Sequence, residues 1–234
     1  LTELASTVSA ISQITDKPLI VDIDTGFGSV LNAQRTMRVI ERAGAFAVQI
    51  EDQVFPKKCG HFAGKAVIPM SEAVSKIKAL VDAREDANTL IIARTDALAA
   101  DLITSDIDPR DAQYATGERT SEGFYRVNPG LHAVVTRGLA FAEYADLIWV
   151  ETGEPNIELA REFANAIHAK FPGKMLAYNC SPSFNWKRHL NDAQIATFQA
   201  DLAALGYKFQ FITLAGFHSV NLATFELAEA YKAR

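Results

Sequence analysis

Six short apolar segments, separated by stretches with helical periodicity, constrain the fold of this chain more than any other feature of its sequence. They cover residues 18–24, 45–52, 89–96, 146–151, 175–181 and 209–216. Each has the length of a strand and is rich in isoleucine, valine, leucine or aromatic residues. Segments that are apolar on both faces are typical of a buried parallel sheet. Because strands that alternate with helices form βα units, the sequence predicts an α/β fold.

The predicted helices cover residues 3–15, 31–43, 71–83, 156–171, 191–205 and 217–232. Gly44 and Gly206 directly follow two of them, as is common where helices end. Two intervals are longer than the roughly 30 residues that a βα unit needs. The surplus lies in residues 53–68 and 97–127, which we expect to be long loops with a role in binding.

Composition excludes several classes of protein. The 234 residues are 49% hydrophobic and 22% charged, with a net charge of −5, which argues against disorder and against nucleic-acid binding. No apolar run approaches the ~18 residues of a membrane span. Two cysteines are too few for a disulfide scaffold and fit a reducing compartment such as the cytoplasm.

Polar residues gather at the carboxyl ends of the predicted strands, which form the active face of a βα barrel. They include Asp22, Asp24, Gln49, Glu51, Asp52, Arg94, Asp96, Glu151, Asn179, Ser181 and Thr213. Carboxylates brought together there would repel one another unless a cation neutralised them, and an all-oxygen ligand set favours Mg²⁺ or Mn²⁺ over Zn²⁺. For any single acid, the alternative is a helix cap or a pair with a lysine.

The string KKCGH at residues 57–61 follows an acidic strand end. A thiol beside two ammonium groups and an imidazole is expected to ionise readily and to exchange a proton near neutral pH. The alternative is an ordinary solvated basic loop. Cys180 should point away from its neighbours on the strand and pack in the core. Asn179, Ser181 and Ser183 could donate hydrogen bonds to a carboxylate, or else cap the helix that follows.

Several longer strings resemble the isocitrate lyase family. Besides KKCGH they are ARTDA (93–97), TGERTSEGFYRV (116–127), AYNCSPSFNW (177–186) and FQFITLAGFH (209–218). VDIDTGFG (21–28) and DQVFPKKCGH (52–61) also resemble the related 2-methylisocitrate lyases, which share the same phosphoenolpyruvate mutase-like barrel. Isocitrate lyases more often have a glutamate where Asp24 stands, but the strings in the second half favour isocitrate lyase.

The resemblance implies a (β/α)8 barrel and the Mg²⁺-dependent retro-aldol cleavage of isocitrate to glyoxylate and succinate, a reaction of the glyoxylate bypass. Asp22 would bind Mg²⁺ directly, and Asp24 and Glu51 would hold it through water. Cys59 would be the general acid that protonates the succinate carbanion, tuned by Lys58 and His61, with Glu151 in the same site. Residues implied in binding substrate are Gly60, His61, Arg94, Asn179, Ser181, Ser183 and Thr213.

The six predicted strands are two fewer than the eight of such a barrel. In relatives the early strands carry a Ser-Gly-Trp segment and a further metal-site aspartate. We therefore expect residues 1–234 to be a single catalytic barrel domain that lacks its N-terminal strands. The resemblance also implies a homotetramer. The alternatives are a 2-methylisocitrate lyase, which would release pyruvate and succinate, and a non-catalytic fragment of such a barrel.

Overall fold

The computed structural model describes residues 1–60 and 62–232. Its elements along the chain are α1 (Thr2–Ser12), β1 (Ile20–Asp22), α2 (Val30–Arg42), β2 (Ala47–Glu51), β3 (Ala66–Val67), α3 (Met70–Ala83), β4 (Leu90–Thr95), β5 (Leu102–Ile103), α4 (Pro109–Ala112), β6 (Ala115–Arg119), β7 (Tyr125–Val127), α5 (Leu131–Phe141), β8 (Leu147–Val150), α6 (Ile157–Lys170), β9 (Met175–Asn179), a 3₁₀ turn (Pro182–Phe184), α7 (Trp186–His189), α8 (Asp192–Ala204), β10 (Tyr207–Phe211) and α9 (Ala215–Lys232).

The predicted parallel sheet is confirmed. Strands β1, β2, β4, β8, β9 and β10 lie side by side in chain order, and every neighbouring pair is parallel. All six strands coincide with the six apolar segments of the sequence. Their carboxyl ends therefore meet at one edge of the sheet, which is where a βα fold places its functional groups.

The four central strands β2, β4, β8 and β9 are buried on both faces, which explains their largely apolar character, whereas the edge strands β1 and β10 are partly exposed. The larger core contains side chains such as Ile23, Met37, Ile77 and Phe163, from the strands and the surrounding helices. A smaller cluster on the inner face contains Ala47, Ile92, Leu147 and Ala177 of four different strands. The helices thus cover one face of the sheet, and the strands pack their remaining side chains against one another on the other.

The sheet curls like the wall of a barrel. Ile20 on the first strand and Phe209 and Phe211 on the last line one apolar cavity of about 560 Å³ on the inner face. Two edge strands can share a cavity only if the sheet bends to bring them toward each other. The architecture is that of a TIM-type barrel wall with six strands in the described sheet.

The two long intervals are not plain loops, and here the sequence prediction was wrong. Residues 66–67, 102–103, 115–119 and 125–127 form a second sheet with the strand order β3-β5-β7-β6. Helix α5, which carries the buried Arg137, was also not predicted. The first interval is closed at its base by an isolated antiparallel bridge between Gln53 and Val67.

A buried ionic network joins this second unit to the barrel. Arg137 donates to Asp52 at 3.0 Å and to Asp111 at 2.7 Å, and all three residues are buried. Asp111 also accepts a hydrogen bond from the backbone N–H of Met70 at the start of α3, at 2.6 Å. Asp52 accepts one from the backbone N–H of Asp96 at 2.9 Å. The network therefore fixes the carboxyl ends of β2 and β4 relative to α3 and α5.

Helix α9 contacts the rest of the chain little, and none of its described residues is buried. Phe217, Leu222 and Phe225 are all more than half exposed. Of the helices in residues 1–60 and 62–232, none is both long enough and apolar enough to cross a membrane.

Candidate active site

A cavity of about 550 Å³ opens at the carboxyl edge of the sheet. It brings together seven residues to which the family resemblance gives a role, namely Asp22, Cys59, Gly60, Arg94, Glu151, Asn179 and Thr213. Gln49, Lys57, Trp149 and Phe211 also line it. Because these residues come from β1, β2, β4, β8, β9, β10 and the first long interval, the fold itself assembles the site.

Three carboxylates converge on the ammonium group of Lys57. Its Nζ lies 2.9 Å from Asp24, 3.4 Å from Glu51 and 3.8 Å from Asp22. Burial opposes the charge of Lys57, but Glu51 and Asp22 outweigh that effect and raise its pKa above the usual value. The three acids predicted to hold a metal are thus neighbours, and the chain provides a cation among them that the sequence analysis did not assign.

Glu51 is the most deeply placed of these acids. Its side chain is fully buried, whereas those of Asp22 and Asp24 are about half and a third exposed. Burial raises the pKa of Glu51 to about 8, although Arg94 and Lys57 act in the opposite direction. The Gln49 amide lies against Asp22 and, with its nitrogen turned toward the carboxylate, donates to Oδ1 at 3.0 Å.

Arg94 lies at the centre of a second, buried cluster. It donates to both oxygens of Asp96, at 2.9 and 3.1 Å, and its Nη1 is 3.4 Å from Glu51 and 3.8 Å from Glu151. Burial disfavours both charges of the first pair, but their attraction outweighs it, so the pKa of Arg94 is raised and that of Asp96 is lowered. Lys65, 1% exposed, adds a contact with Asp96 at 2.9 Å.

The next strands contribute neutral polar groups. Asn179 Nδ2 is 3.4 Å from a Glu151 oxygen, and Thr213 donates its hydroxyl to Asn179 Oδ1 at 2.7 Å. Burial raises the pKa of Glu151, and Arg94 opposes this shift. The Trp149 ring lies 4.8 Å from the Arg94 guanidinium. These contacts orient the Asn179 amide at the edge of the cavity, where a carboxylate could accept a hydrogen bond from its second N–H.

Cys59 and Gly60 reach the cavity on the first long interval. Cys59 is exposed, and Gly60 lies so close to the barrel that an added Cβ would be 2.5 Å from Glu151 Oε1 and 2.6 Å from Arg94 Nη2. Lys58 points elsewhere, since its Nζ donates to the Gly64 carbonyl at 2.7 Å. His61, the other predicted neighbour of Cys59, lies outside the described residues.

Ser181 and Ser183 are not among the residues that line the cavity. Ser181 is buried, and its hydroxyl accepts a hydrogen bond from the Ser183 backbone N–H at 3.2 Å. This is the capping arrangement that the sequence left open as the alternative. Cys180 packs in the large core, as its position on the strand predicted.

The residues present fit a divalent cation. Asp22, Asp24, Glu51, Asp96 and Glu151 face Lys57, Lys65 and Arg94, so five carboxylates meet three cationic side chains. Within residues 1–60 and 62–232, no three acidic, histidine or cysteine side chains are close enough to hold an ion by themselves. Mg²⁺ usually keeps several waters and takes only one or two carboxylates, so an incomplete set of protein ligands suits it.

Comparison with known proteins finds relatives over nearly the whole chain. The sequence model of the isocitrate lyase family matches residues 5–118 and 115–234. Isocitrate lyase of Escherichia coli (strain K12) is 57% identical over 220 residues, which is 92% of this chain and 50% of that protein. The chain therefore spans about half the length of the curated relatives it matches.

Two solved structures share the fold over nearly the whole chain. A 2,3-dimethylmalate lyase has a TM-score of 0.72 at 25% identity, covering 99% of this chain and 65% of that one. A phosphonopyruvate hydrolase in complex with oxalate and Mg²⁺ has a TM-score of 0.65 at 26% identity, covering 98% of this chain and 64% of that one. The barrel type expected from the sequence is confirmed.

Proposed function

Because the chain belongs to the isocitrate lyase family, we propose that the protein containing it cleaves isocitrate to glyoxylate and succinate in a Mg²⁺-dependent retro-aldol reaction. One observation carries the proposal. The described cavity brings a thiol, an arginine, two acids, an amide and a hydroxyl to one place. Its volume of about 550 Å³ lies within the usual range of ligand pockets, roughly 300–1,000 Å³.

Asp22, Asp24 and Glu51 would hold the metal ion, and the Lys57 ammonium group that their carboxylates now surround would have to turn away to make room for it. Bound there, Mg²⁺ would supply Lewis-acid polarisation of substrate oxygens and would fix their orientation. The excess of carboxylates over cationic side chains supports a divalent ion. Mn²⁺ has the same ligand preferences and is the natural substitute.

Arg94, Asn179 and Thr213 would bind substrate carboxylates from the cavity wall. Because Asp96 accepts hydrogen bonds from Nε and Nη2 of Arg94, the Nη1 end of the guanidinium would face the substrate carboxylate. The contacts of Asn179 with Glu151 and Thr213 hold its amide in place before the substrate arrives. Ser181 and Ser183 belong to this set by family resemblance, and the Ser181 hydroxyl would have to turn away from the Ser183 backbone N–H to reach the substrate.

The reaction needs one proton acceptor and one proton donor. Glu151 is the candidate acceptor for the hydroxyl proton, because burial raises its pKa and it lies on the cavity wall. The electrons of the broken C–C bond go to the succinate half as an aci-carboxylate, while the hydroxyl carbon becomes the carbonyl of glyoxylate. Cys59 would then give its thiol proton to the carbanion, with Lys58 and His61 as its neighbours in sequence.

The position of Cys59 suits a donor that acts late. It lies on a long loop rather than on a strand, and Gly60 beside it is packed against Arg94 and Glu151. A loop in this place covers the cavity, and closure of such a loop excludes water before a reactive carbanion forms. Assembly as a homotetramer and a cytoplasmic location are further parts of this proposal and rest on the family resemblance.

The proposal is tested by measuring cleavage by the intact protein. We expect release of glyoxylate from isocitrate with Mg²⁺, loss of activity when EDTA removes the ion, and recovery when Mg²⁺ is restored. The matched substrate is 2-methylisocitrate, which would yield pyruvate. Faster cleavage of 2-methylisocitrate would assign the protein to the related lyase, and a folded protein that cleaves neither would show a non-catalytic barrel.

A further inference from the structure

The loop that carries Cys59 is closed at its base and reaches over the cavity. We call it the cysteine loop and define it as residues 54–60 and 62–65. At its base the Val54 backbone N–H donates to the Ala66 carbonyl at 2.9 Å, next to the bridge between Gln53 and Val67. Cys59 lies five residues beyond this base, so the base alone does not determine where its thiol is held.

Gln53 holds the backbone of the residue before Cys59. Its side-chain oxygen accepts a hydrogen bond from the Lys58 N–H at 3.1 Å, and its nitrogen donates to the Lys58 carbonyl at 2.9 Å. One amide thus satisfies both backbone groups of a single residue. Gln53 is 1% exposed, so its side of these bonds is shielded from solvent.

Lys65 holds the backbone of the residue after Cys59. Its ammonium group donates to the Gly60 carbonyl at 2.7 Å. Lys65 is also 1% exposed. A hydrogen bond from a buried ammonium group to a backbone carbonyl is charge-assisted and therefore stronger than a hydrogen bond between neutral groups.

Each of these side chains is also bonded to an acid of the candidate site. Gln53 Nε2 lies 3.1 Å from Glu51 Oε1, and Lys65 Nζ lies 2.9 Å from Asp96 Oδ1. The loop backbone is therefore fixed on both sides of Cys59 to groups that surround the cavity. Lys57 adds an ion pair, but through its own flexible side chain rather than through the backbone.

We propose that Gln53 and Lys65 are positioning residues for Cys59: they clamp the backbone on either side of it to the carboxylates of the site and so set where its thiol can reach. The inference rests on the proposed function for the role of Cys59 as the proton donor. The clamp itself is a statement about the loop and can be tested without any activity.

The test uses Gln53→Met and Lys65→Met in the intact protein, each of which keeps the length of the side chain and removes the bonds to the loop. Native-state trypsin cleavage after Lys57 and Lys58, followed by mass spectrometry, measures how often the loop opens. We expect each variant to accelerate this cleavage by about ten- to a hundredfold, the range that corresponds to losing a strong hydrogen bond. Lys174→Met is the matched control, because Lys174 also donates to a backbone carbonyl, that of Ala145 at 2.8 Å, away from the cavity.

Activity gives the second readout. In both variants kcat should fall by at least about tenfold while KM for isocitrate changes little, because the loop backbone positions the donor rather than the ground-state substrate. Cleavage at the parent rate in both variants, with folding intact, would overturn the proposal. If cleavage accelerates but the unmodified protein has no lyase activity, the clamp stands and the proposed function fails.

If a variant does not fold, hydrogen exchange of the Lys58 amide in the unmodified protein still tests whether Gln53 holds the loop. The Lys58 N–H, bonded to Gln53, should exchange with deuterium at least about tenfold more slowly than an unstructured amide. Exchange at the unstructured rate would show that Gln53 does not hold the loop, whatever the variants do.

Discussion

Replacing Gly60 by alanine is the sharpest perturbation that the site offers. An added Cβ would lie 2.5 Å from Glu151 Oε1 and 2.6 Å from Arg94 Nη2, where ordinary contact begins at 3.4 Å. Neither partner can yield easily. Glu151 is 4% exposed, and Arg94 is held by two hydrogen bonds to Asp96. The loop itself must therefore withdraw, by about 1 Å.

The expected magnitude follows from that displacement. A misplacement of about 1 Å in a reacting group costs roughly a hundredfold in rate, or about 2.7 kcal/mol in the activation free energy. Cys59 is adjacent to Gly60 and must move with it. We therefore expect Gly60→Ala to lower kcat/KM for isocitrate by about a hundredfold, with a small change in melting temperature, because an exposed loop can move without unfolding the barrel.

The assay is the initial rate of glyoxylate release by the intact protein at saturating Mg²⁺. Gly153→Ala is the matched control, since an added Cβ at Gly153 meets no atom within 4 Å. The control should retain its rate to within about twofold. If Gly60→Ala also stays within twofold of the parent, the loop does not pack against Glu151 and Arg94 in the reacting enzyme, and the reasoning fails.

Four further substitutions test the site and its support. Cys59→Ser should lower kcat by about 10²- to 10⁴-fold, since serine is a far weaker acid. The control Cys180→Ala should leave kcat nearly unchanged after correction for the amount of folded protein. An unchanged kcat in Cys59→Ser would exclude the thiol as the proton donor. Asp22→Asn should raise the Mg²⁺ concentration for half-maximal activity at least about tenfold, and an unaltered Mg²⁺ titration would contradict its role. Arg137→Met should lower the free energy of unfolding in urea by about 3–5 kcal/mol, because it leaves two buried carboxylates without their cation; a loss below about 1 kcal/mol would show that water screens the network. Hydrogen bonds from the Arg110 side chain lower the pKa of Asp108 from 3.8 to about 2. The ionised Asp108 therefore stabilises the folded state by about 2 kcal/mol above pH ~4, and this contribution is lost as the pH falls toward 2. Urea unfolding of Asp108→Asn should lack that part of the acid dependence, and parallel curves of unfolding free energy against pH for variant and parent would refute the assignment.

The sequence predicted the main sheet well because its four central strands are buried on both faces. Residues 45–52 and 89–96 are nearly continuous apolar runs, and they correspond to β2 and β4. The second sheet was missed because β3 and β5 have two residues each, too few for any periodicity to appear. Helix α5 was missed for a different reason. Its N-cap is Gly130, which has no side chain to cap the helix, and no glycine follows its last residue, so the usual signals of helix ends are absent.

The polar ends of the strands were also predictable, since a period of two places alternate residues on the same face. The lysines were not. Three of them stand between residues 57 and 65, and nothing local separates one from another. Lys57 enters the acid cluster, Lys58 bonds within the loop, and Lys65 is buried against Asp96. Only the packing of the loop on the barrel decides which lysine is buried. One signal was available in the sequence, because Lys65 directly precedes the apolar pair Ala66–Val67, which could form a strand.

The charges of the site are difficult to explain as contributions to stability. Taking Arg94, Asp96 and Lys65 out of water costs free energy that their mutual attraction only partly offsets, and well-packed apolar residues of similar size often stabilise a core as much or more. The cluster is nevertheless complete in its contacts, with Asp96 bonded to both cations. Such a group is rigid and pre-oriented, which is what binding a small polycarboxylate and placing a proton donor require. The Arg137 network differs from this cluster, because it joins α5 to Asp52 and Asp111 and none of these three residues lines the main cavity. Substitutions in the first cluster should therefore change catalysis more than stability, and those in the second should do the reverse.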